Sequence, residues 1–257
     1  MVRRERPRPE HAARHARHLT GFIITTVIVC TALGVLFFMH DFIPRSSSVE
    51  RQSIDSLLKI LFGIGGIIFG LIVSLFVYSI SFFRVRRGEL GDGPAIRGNG
   101  ALELAWTAAP VAIVAALSVY GGIVLMDMTK LPPPQEALNV NVTAQRFNWQ
   151  FDYPDASVTS FELHLIVNRP VVFSMQSKDV IHSFWVQEFG PKQDIVPGMT
   201  TTLRLTPTKI GQYIVQCSQL CGYGHSYMLA PVYVTSEADF QTWLSQQQQQ
   251  KQAGQKP

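Results

Sequence analysis

The sequence predicts a membrane-anchored all-β protein. N-terminal transmembrane helices, a two-helix hairpin plus one extra N-terminal span, should precede a Greek-key β-sandwich. Three observations lead there. Apolar runs of bilayer-crossing length occur three times in the first half of the chain. From Ala137 the pattern changes to short alternating segments bounded by turn residues. Near the end of that second half, one short stretch from Gln216 to Met228 gathers Cys217, Cys221, His225 and Met228. Composition agrees: of 257 residues, 47% are hydrophobic and only 16% charged, which suits an anchor plus one modest globular domain. The net charge of +4 could point to nucleic acid, but the arginines cluster beside apolar segments, a membrane-topology pattern. The partner implied is the lipid bilayer, with no nucleic acid.

Residues 1–18 are rich in Arg, His and Pro and are expected to be poorly ordered. The first apolar run, 19–39, follows a basic leader that could be the n-region of a signal peptide. Its length is enough to span, no A-x-A site follows before His40, and Val29 is too large for Cys30 to be a lipoprotein cysteine. An uncleaved first span is therefore favoured, with a signal anchor as the alternative. A helical hairpin is expected over 55–126, with apolar runs from about Ser56 to Phe83 and from about Leu104 to Met126. Gly66 and Gly70 give the first of these a G-x-x-x-G face suited to close helix contact. Arg3, Arg4, Arg6, Arg8, Arg14 and Arg17 flank one side, and Arg84, Arg86, Arg87 and Arg97 fall between the second and third runs. Only Arg45 and Arg51 lie between the first and second. The positive-inside rule puts the N-terminus in the cytoplasm of a multi-pass plasma-membrane protein, and everything after Met126 on the outer, periplasmic face.

Residues 127–136 read as a linker stiffened by Leu131-Pro132-Pro133-Pro134. The domain over 137–235 has room for about ten strands, such as Leu138–Val142 and Thr201–Leu205, with turns marked at Pro197-Gly198 and Gly211. Residues 236–257 read as a short helix from Glu237 to about Gln247, N-capped by Ser236, and a disordered Gln-rich tail.

The chemistry lies in Q-C-S-Q-L-C-G-Y-G-H-S-Y-M, residues 216–228, with a further histidine, His182, upstream in D-V-I-H-S-F-W. Thiolate, thioether and imidazole together select a soft or borderline ion, copper first. A single blue copper needs one Cys, two His and a weak Met, so one sulfur is left over; two thiolates can bridge two metals. Blander explanations exist for each part. A C-x3-C pair outside the cytoplasm can be a disulfide. Structural zinc has no use for Met, and haem attachment needs C-x-x-C-H. His182 alone would pass for a strand histidine, and Met228 alone for a core filler.

The stretch resembles the binuclear CuA motif of subunit II of cytochrome c oxidases, haem-copper terminal oxidases, C-S-E-L-C-G-x-x-H-x-x-M, and the similarity runs from about Asp55 to Thr235. The resemblance implies a cupredoxin-like fold for the sandwich and a binuclear copper (CuA) cofactor. It implies that Cys217 and Cys221 bridge both coppers, that His182 and Met228 complete one, and that His225 and the backbone carbonyl of Gln219 complete the other. Gln219 stands where most of the family has Glu, which should weaken a Mg site at the partner boundary. Glu103, in A-L-E-L-A-W-T, matches the family's Glu at the mouth of a proton path; the blander reading is an interfacial carboxylate beside Trp106. Residues 145–155, Q-R-F-N-W-Q-F-D-Y-P-D, match the family's aromatic patch, so Phe147 and Trp149 are implied as a stacked electron-uptake surface; the blander reading is a strand with core aromatics.

The function implied is that of a respiratory relay. It would take electrons from cytochrome c or a similar donor and pass them to haem in subunit I of a haem-copper oxidase. Dioxygen reduction coupled to proton translocation would occur in the partner subunits. Three rivals remain. A quinol oxidase subunit has the fold but lacks the copper ligands; a CuA-bearing nitric oxide reductase subunit would share them all; a membrane-tethered copper-binding protein would need an exposed site. Between Asp127 and Thr235 eight acidic residues face seven basic ones, a net charge of −1, so little field is expected to steer a basic donor.

Overall fold

The computed structural model describes residues 9–39, 46–82, 88, 97–133 and 135–254. Arg3, Arg4, Arg6, Arg8, Arg45, Arg84, Arg86, Arg87 and Pro134 lie outside the described residues. The chain divides into two compact units: residues up to 42 with 56–111, and residues 43–55 with 112–257.

Three helices come first: α1 (Pro9–Met39), α2 (Val49–Phe82) and α3 (Gly100–Thr129). All three are long and apolar enough to cross a membrane. Helix α1 starts at Pro9, inside the stretch expected to be disordered; residues 9–18 are dominated by Ala, Arg and Glu, good helix formers, and Pro suits a first helical position. Gly66 and Gly70 are the buried glycines of α2. A Cβ at Gly70 would come within 3.2 Å of Cys30 Cα, and one at Gly34 within 3.2 Å of Ile67 Cγ1, so small residues set how closely α1 and α2 approach.

The second unit holds ten strands in two five-stranded sheets. One sheet is built from β1 (Leu138–Gln145), β2 (Asn148–Tyr153), β3 (Val158–Ser160), β5 (Val171–Ser177) and β8 (Thr201–Leu205), in the order β3-β2-β1-β5-β8. The other is built from β4 (Leu163–Ile166), β6 (His182–Val186), β7 (Lys192–Ile195), β9 (Gly211–Cys217) and β10 (Leu229–Thr235), in the order β4-β10-β9-β6-β7. The alternation read in the sequence is the cause. In β1, Leu138, Val140, Val142 and Ala144 point inward while Asn139, Asn141, Thr143 and Gln145 do not. Trp149, Phe151, Phe173, Phe184 and Phe189 fill the space between the sheets, each fully buried. Each such ring contributes about 1.5–3 kcal/mol by leaving water.

Three helix boundaries differ from expectation. Helix α2 begins at Val49, not near Ser56, and its polar first turns belong to the β unit. Ser48 Oγ accepts from Arg51 N at 2.9 Å as N-cap and donates to Phe189 O at 2.7 Å. Glu50 accepts from Thr206 N at 2.8 Å, and Arg51 bonds Asp55 at 2.6 Å and Gln187 O at 2.8 Å. Glu50 and Arg51 are buried, so this polar segment is an anchor on the sandwich. Helix α3 likewise runs through Thr129, into the expected linker. At the C-terminus, α4 (Glu237–Gly254) passes Gln247 because Gln and Lys favour helix and no breaker occurs before Gly254. Gln248 and Lys251 also donate to Ala156 O and Ser157 O. Ser236 is its N-cap, accepting from Asp239 N at 3.2 Å.

Candidate metal centre

Three segments of the second sheet bring the sulfur and imidazole groups together. His182 opens β6, Cys217 closes β9, and the loop from Ser218 to Met228 leads into β10. The sheet ladder fixes these ends: Ser218 N donates to Ser183 O at 2.9 Å, and Cys217 N to Met228 O at 3.1 Å, which closes the loop at its base. Met228 O also accepts from Trp149 Nε1 at 3.2 Å. Within this frame Cys217 Sγ and Cys221 Sγ stand 3.9 Å apart, about twice a disulfide bond, and both thiols are free. His182 Nδ1 is 3.7 Å from Cys217 Sγ, His225 Nδ1 is 3.6 Å from Cys221 Sγ, and Met228 Sδ is 3.9 Å from Cys221 Sγ. The Gln219 carbonyl oxygen is 3.2 Å from Cys217 Sγ, while the Gln219 side chain is exposed. The metal-ligand candidates read in the sequence therefore converge, the carbonyl of Gln219 included.

The electrostatics favour a cation here. Burial, and the neighbouring Cys217, push the Cys221 thiol up to about 11. Two thiolates side by side in this setting need positive charge between them, which a thiophilic ion supplies as it displaces their protons. The set of two sulfurs, two imidazole nitrogens, a thioether and a carbonyl fits copper better than zinc, which has no use for the thioether.

Sequence reasoning missed one participant. Asp179 Oδ1 lies 2.8 Å from His182 Nε2, the ring nitrogen that faces away from the sulfurs. The same carboxylate accepts from Val180 N at 2.7 Å and Arg146 N at 2.8 Å. Desolvation pushes its pKa up, but the Arg146 N–H, the His182 ring and the Val180 N–H outweigh it and hold the carboxyl at about 2. The signal was present as a carboxylate three residues ahead of a ligand histidine, D-V-I-H.

The aromatic pair divides. Trp149 is fully buried, edge-on to Phe184 at 5.8 Å, and cannot itself form an exposed surface. Phe147 is half-buried against the metal loop: a Cβ at Gly224 would fall 2.5 Å from its ring, and one at Gly222 3.2 Å. Glu103 is exposed, and its Oε1 accepts from Asn99 N at 3.0 Å while Asn99 Oδ1 accepts from Leu102 N at 3.2 Å. These reciprocal bonds make Asn99 and Glu103 the N-terminal cap of α3.

Comparison with known proteins adds the following. The family described as cytochrome C oxidase subunit II, periplasmic domain, matches residues 159–236, and the subunit II transmembrane domain matches residues 37–121. Cytochrome c oxidase subunit 2 of Thermostichus vulcanus is 31% identical over 81% of this chain and 79% of its own length. The Cereibacter sphaeroides protein of the same name is 30% identical over 67% of this chain and 68% of its own. Quinol oxidase subunit 2 of Bacillus subtilis is 30% identical over 80% of this chain and 65% of its own length.

Proposed function

Because the chain belongs to the subunit II family of cytochrome c oxidases, we propose that it is the copper-bearing, electron-accepting member of a haem-copper oxidase. The reading rests on the two cysteine sulfurs 3.9 Å apart, with His182, His225 and Met228 each placing a ligand atom 3.6–3.9 Å from one of them. It supports the copper-bearing reading over that of a quinol oxidase subunit. A pair of coppers would be held by the Cys217 and Cys221 thiolates, the His182 and His225 imidazoles, the Met228 thioether and the Gln219 carbonyl. When bound, such a pair supplies one-electron exchange with its charge change spread over two ions.

The chain's own residues supply rigidity and insulation. Strand ends β6 and β9 carry His182 and Cys217, so neither can shift without breaking ladder bonds. Asp179 fixes the His182 ring and its tautomer, because Nε2 must carry the proton it shares with the carboxylate. Trp149 holds Met228 by its carbonyl and, with Phe184, keeps water from the inner side. The relay would run from a reduced cytochrome c or similar carrier, through this centre, to haem in subunit I. The N-terminus would be cytoplasmic and the β domain outside. Glu103 would serve as a proton-uptake residue for the partner subunit, and its exposure suits that role.

The test is metal content and spectroscopy of the purified complex. Two coppers in this chain and an electron spin shared between them are expected. Cys217→Ser or Cys221→Ser should abolish the shared signal, since a hydroxyl is too hard a ligand. One copper per chain, or a single-copper hyperfine pattern, would refute the binuclear reading.

A further inference from the structure

The loop between the two ends of the metal site is two-faced. Cys217, Cys221 and Met228 are buried, and His225 is half-buried. Leu220, Tyr223 and Tyr227, interleaved with them, are 77%, 97% and 82% exposed. Large apolar side chains so fully presented to solvent from one short loop have no folding rationale, because they bury almost nothing. Tyr223 stands out among them. It lies two residues from Cys221 and two from His225, and its ring meets Phe147 edge-on at a centroid distance of 4.9 Å. Phe147 in turn packs on the backbones of Gly222 and Gly224, either side of Tyr223. Phe147 is thus the backing ring, and Tyr223 the outermost one.

We propose that Tyr223, rather than Phe147, is the residue on which the soluble electron carrier docks, with Leu220 and Tyr227 as its apolar rim. This rests on the relay function proposed above. The occupant is a small one-electron carrier protein whose cofactor edge opens within an uncharged, apolar face. Charge argues for that class. The charged residue next to Phe147, Arg146, is paired with Asp179 at 3.8 Å, and Asp179 is also engaged by His182. The β domain over 137–235 carries six acidic and six basic residues, so neither sign offers a strong field for a highly charged partner. Tyr, with a hydroxyl tip and an apolar body, is among the residue types enriched as interface anchors. Phe147 acts as a positioning residue, holding Tyr223 and the two glycines.

The experiment uses the whole oxidase complex and reduced soluble cytochrome c as the probe. Two things are measured: the second-order rate of electron uptake, and the equilibrium affinity for oxidised cytochrome c. Tyr223→Ala should lower both by about tenfold or more, the range of an anchor truncation. Tyr223→Phe should stay within about twofold, and Tyr227→Ala should cost less than Tyr223→Ala. The copper spectrum, subunit composition and reduction by a small inorganic reductant should not change in Tyr223→Ala. Affinity and rate unchanged in Tyr223→Ala would overturn the proposal, as would loss of a subunit from that variant, which would mean another subunit covers the loop. A steep fall in rate between low and moderate salt would overturn the apolar docking mode. A wild-type complex without a binuclear copper signal would instead strike the relay function itself.

Discussion

Replacing Asp179 with Asn tests how far the metal site depends on a residue that touches no metal. The carboxylate serves three close donors with its two oxygens, His182 Nε2 and Val180 N on Oδ1 and Arg146 N on Oδ2, and the Ser177 hydroxyl lies 3.5 Å from Oδ1. An amide of the same shape has one acceptor oxygen and one NH2 group. It can satisfy one side only, leaving either the imidazole N–H or the Arg146 N–H unmatched. It also removes the negative charge that stabilises a His182 ring bound through Nδ1 to a cation. Loss of such an outer partner typically costs about 10–100-fold in metal affinity, or about 1.4–2.8 kcal/mol. Competition of the full-length chain against a copper chelator should show a loss in this range for Asp179→Asn. Asp155→Asn, an exposed carboxylate elsewhere in the domain, should show none. The unfolding midpoint of the metal-free chain separates a general weakening from a local one. A copper affinity within about twofold of the wild type would refute the argument and leave Asp179 as a loop brace only.

Three further outcomes follow from the geometry. Gly224 has φ −92°, so Ala is allowed on the backbone and meets only the Phe147 ring, 2.5 Å away; Gly224→Ala should cost about 1–3 kcal/mol by overpacking, and Phe147→Ala in the same chain should recover most of it in a denaturation midpoint. For Glu103, the Gln variant keeps an acceptor for Asn99 N but cannot carry a proton; oxidase turnover slowed in both Glu103→Gln and Glu103→Ala supports proton uptake, whereas turnover normal in Gln and a cap loss of about 0.5–2 kcal/mol in Ala leaves a helix cap alone. His164 is pressed between Trp243, at 3.9 Å, and Tyr233, at 4.8 Å, with Glu162 3.6 Å from Nε2 and Tyr153 OH bonded to its backbone; burial lowers its pKa, with Glu162 pulling the other way, so the unfolded chain binds the extra proton and stability should be full above about pH 6.5 and fall as pH drops below it, a slope that denaturation midpoints should show and His164→Gln should flatten.

The sandwich and its candidate metal ligands were legible because both are written largely locally. Period-2 alternation in segments such as Leu138–Val142 is a direct statement of which face is buried, and Cys217 to Met228 fall within one loop. What escaped was set by partners far along the chain. Arg51 read as part of the short connection between the first two spans; Asp55 pairs it locally, but Gln187, and the Thr206 and Arg204 partners of its neighbour Glu50, lie more than a hundred residues away. The end of α4 was lost for a similar reason, since a Gln-rich composition suggests disorder until Ala156 and Ser157 supply carbonyls to its side chains. Trp149 illustrates the reverse error. The aromatic pattern grouped it with Phe147, but a strand position two residues from Phe147 faces the same way only if both sit in regular strand. Phe147 lies in the turn before β2, and so the two rings part, one into the core and one against the loop.

That parting has a consequence for how the site can evolve. The metal loop carries two sets of side chains with separate duties, one aimed at the sulfur cluster and one at solvent. The inner set is fixed from behind by ladder bonds, by Asp179 and by Trp149, so its geometry does not depend on what the outer residues are. Leu220, Tyr223 and Tyr227 can therefore change with little effect on metal binding, because their truncation removes almost no buried area. Gly222 and Gly224 are the points where the two sets are not independent: each lies under the Phe147 ring and borders Tyr223. A side chain at either position would move Phe147, and with it both the docking ring outside and the loop that carries Cys221 and His225 inside. Partner choice should thus vary freely at 220, 223 and 227, while 222 and 224 stay bound to the requirements of the metal.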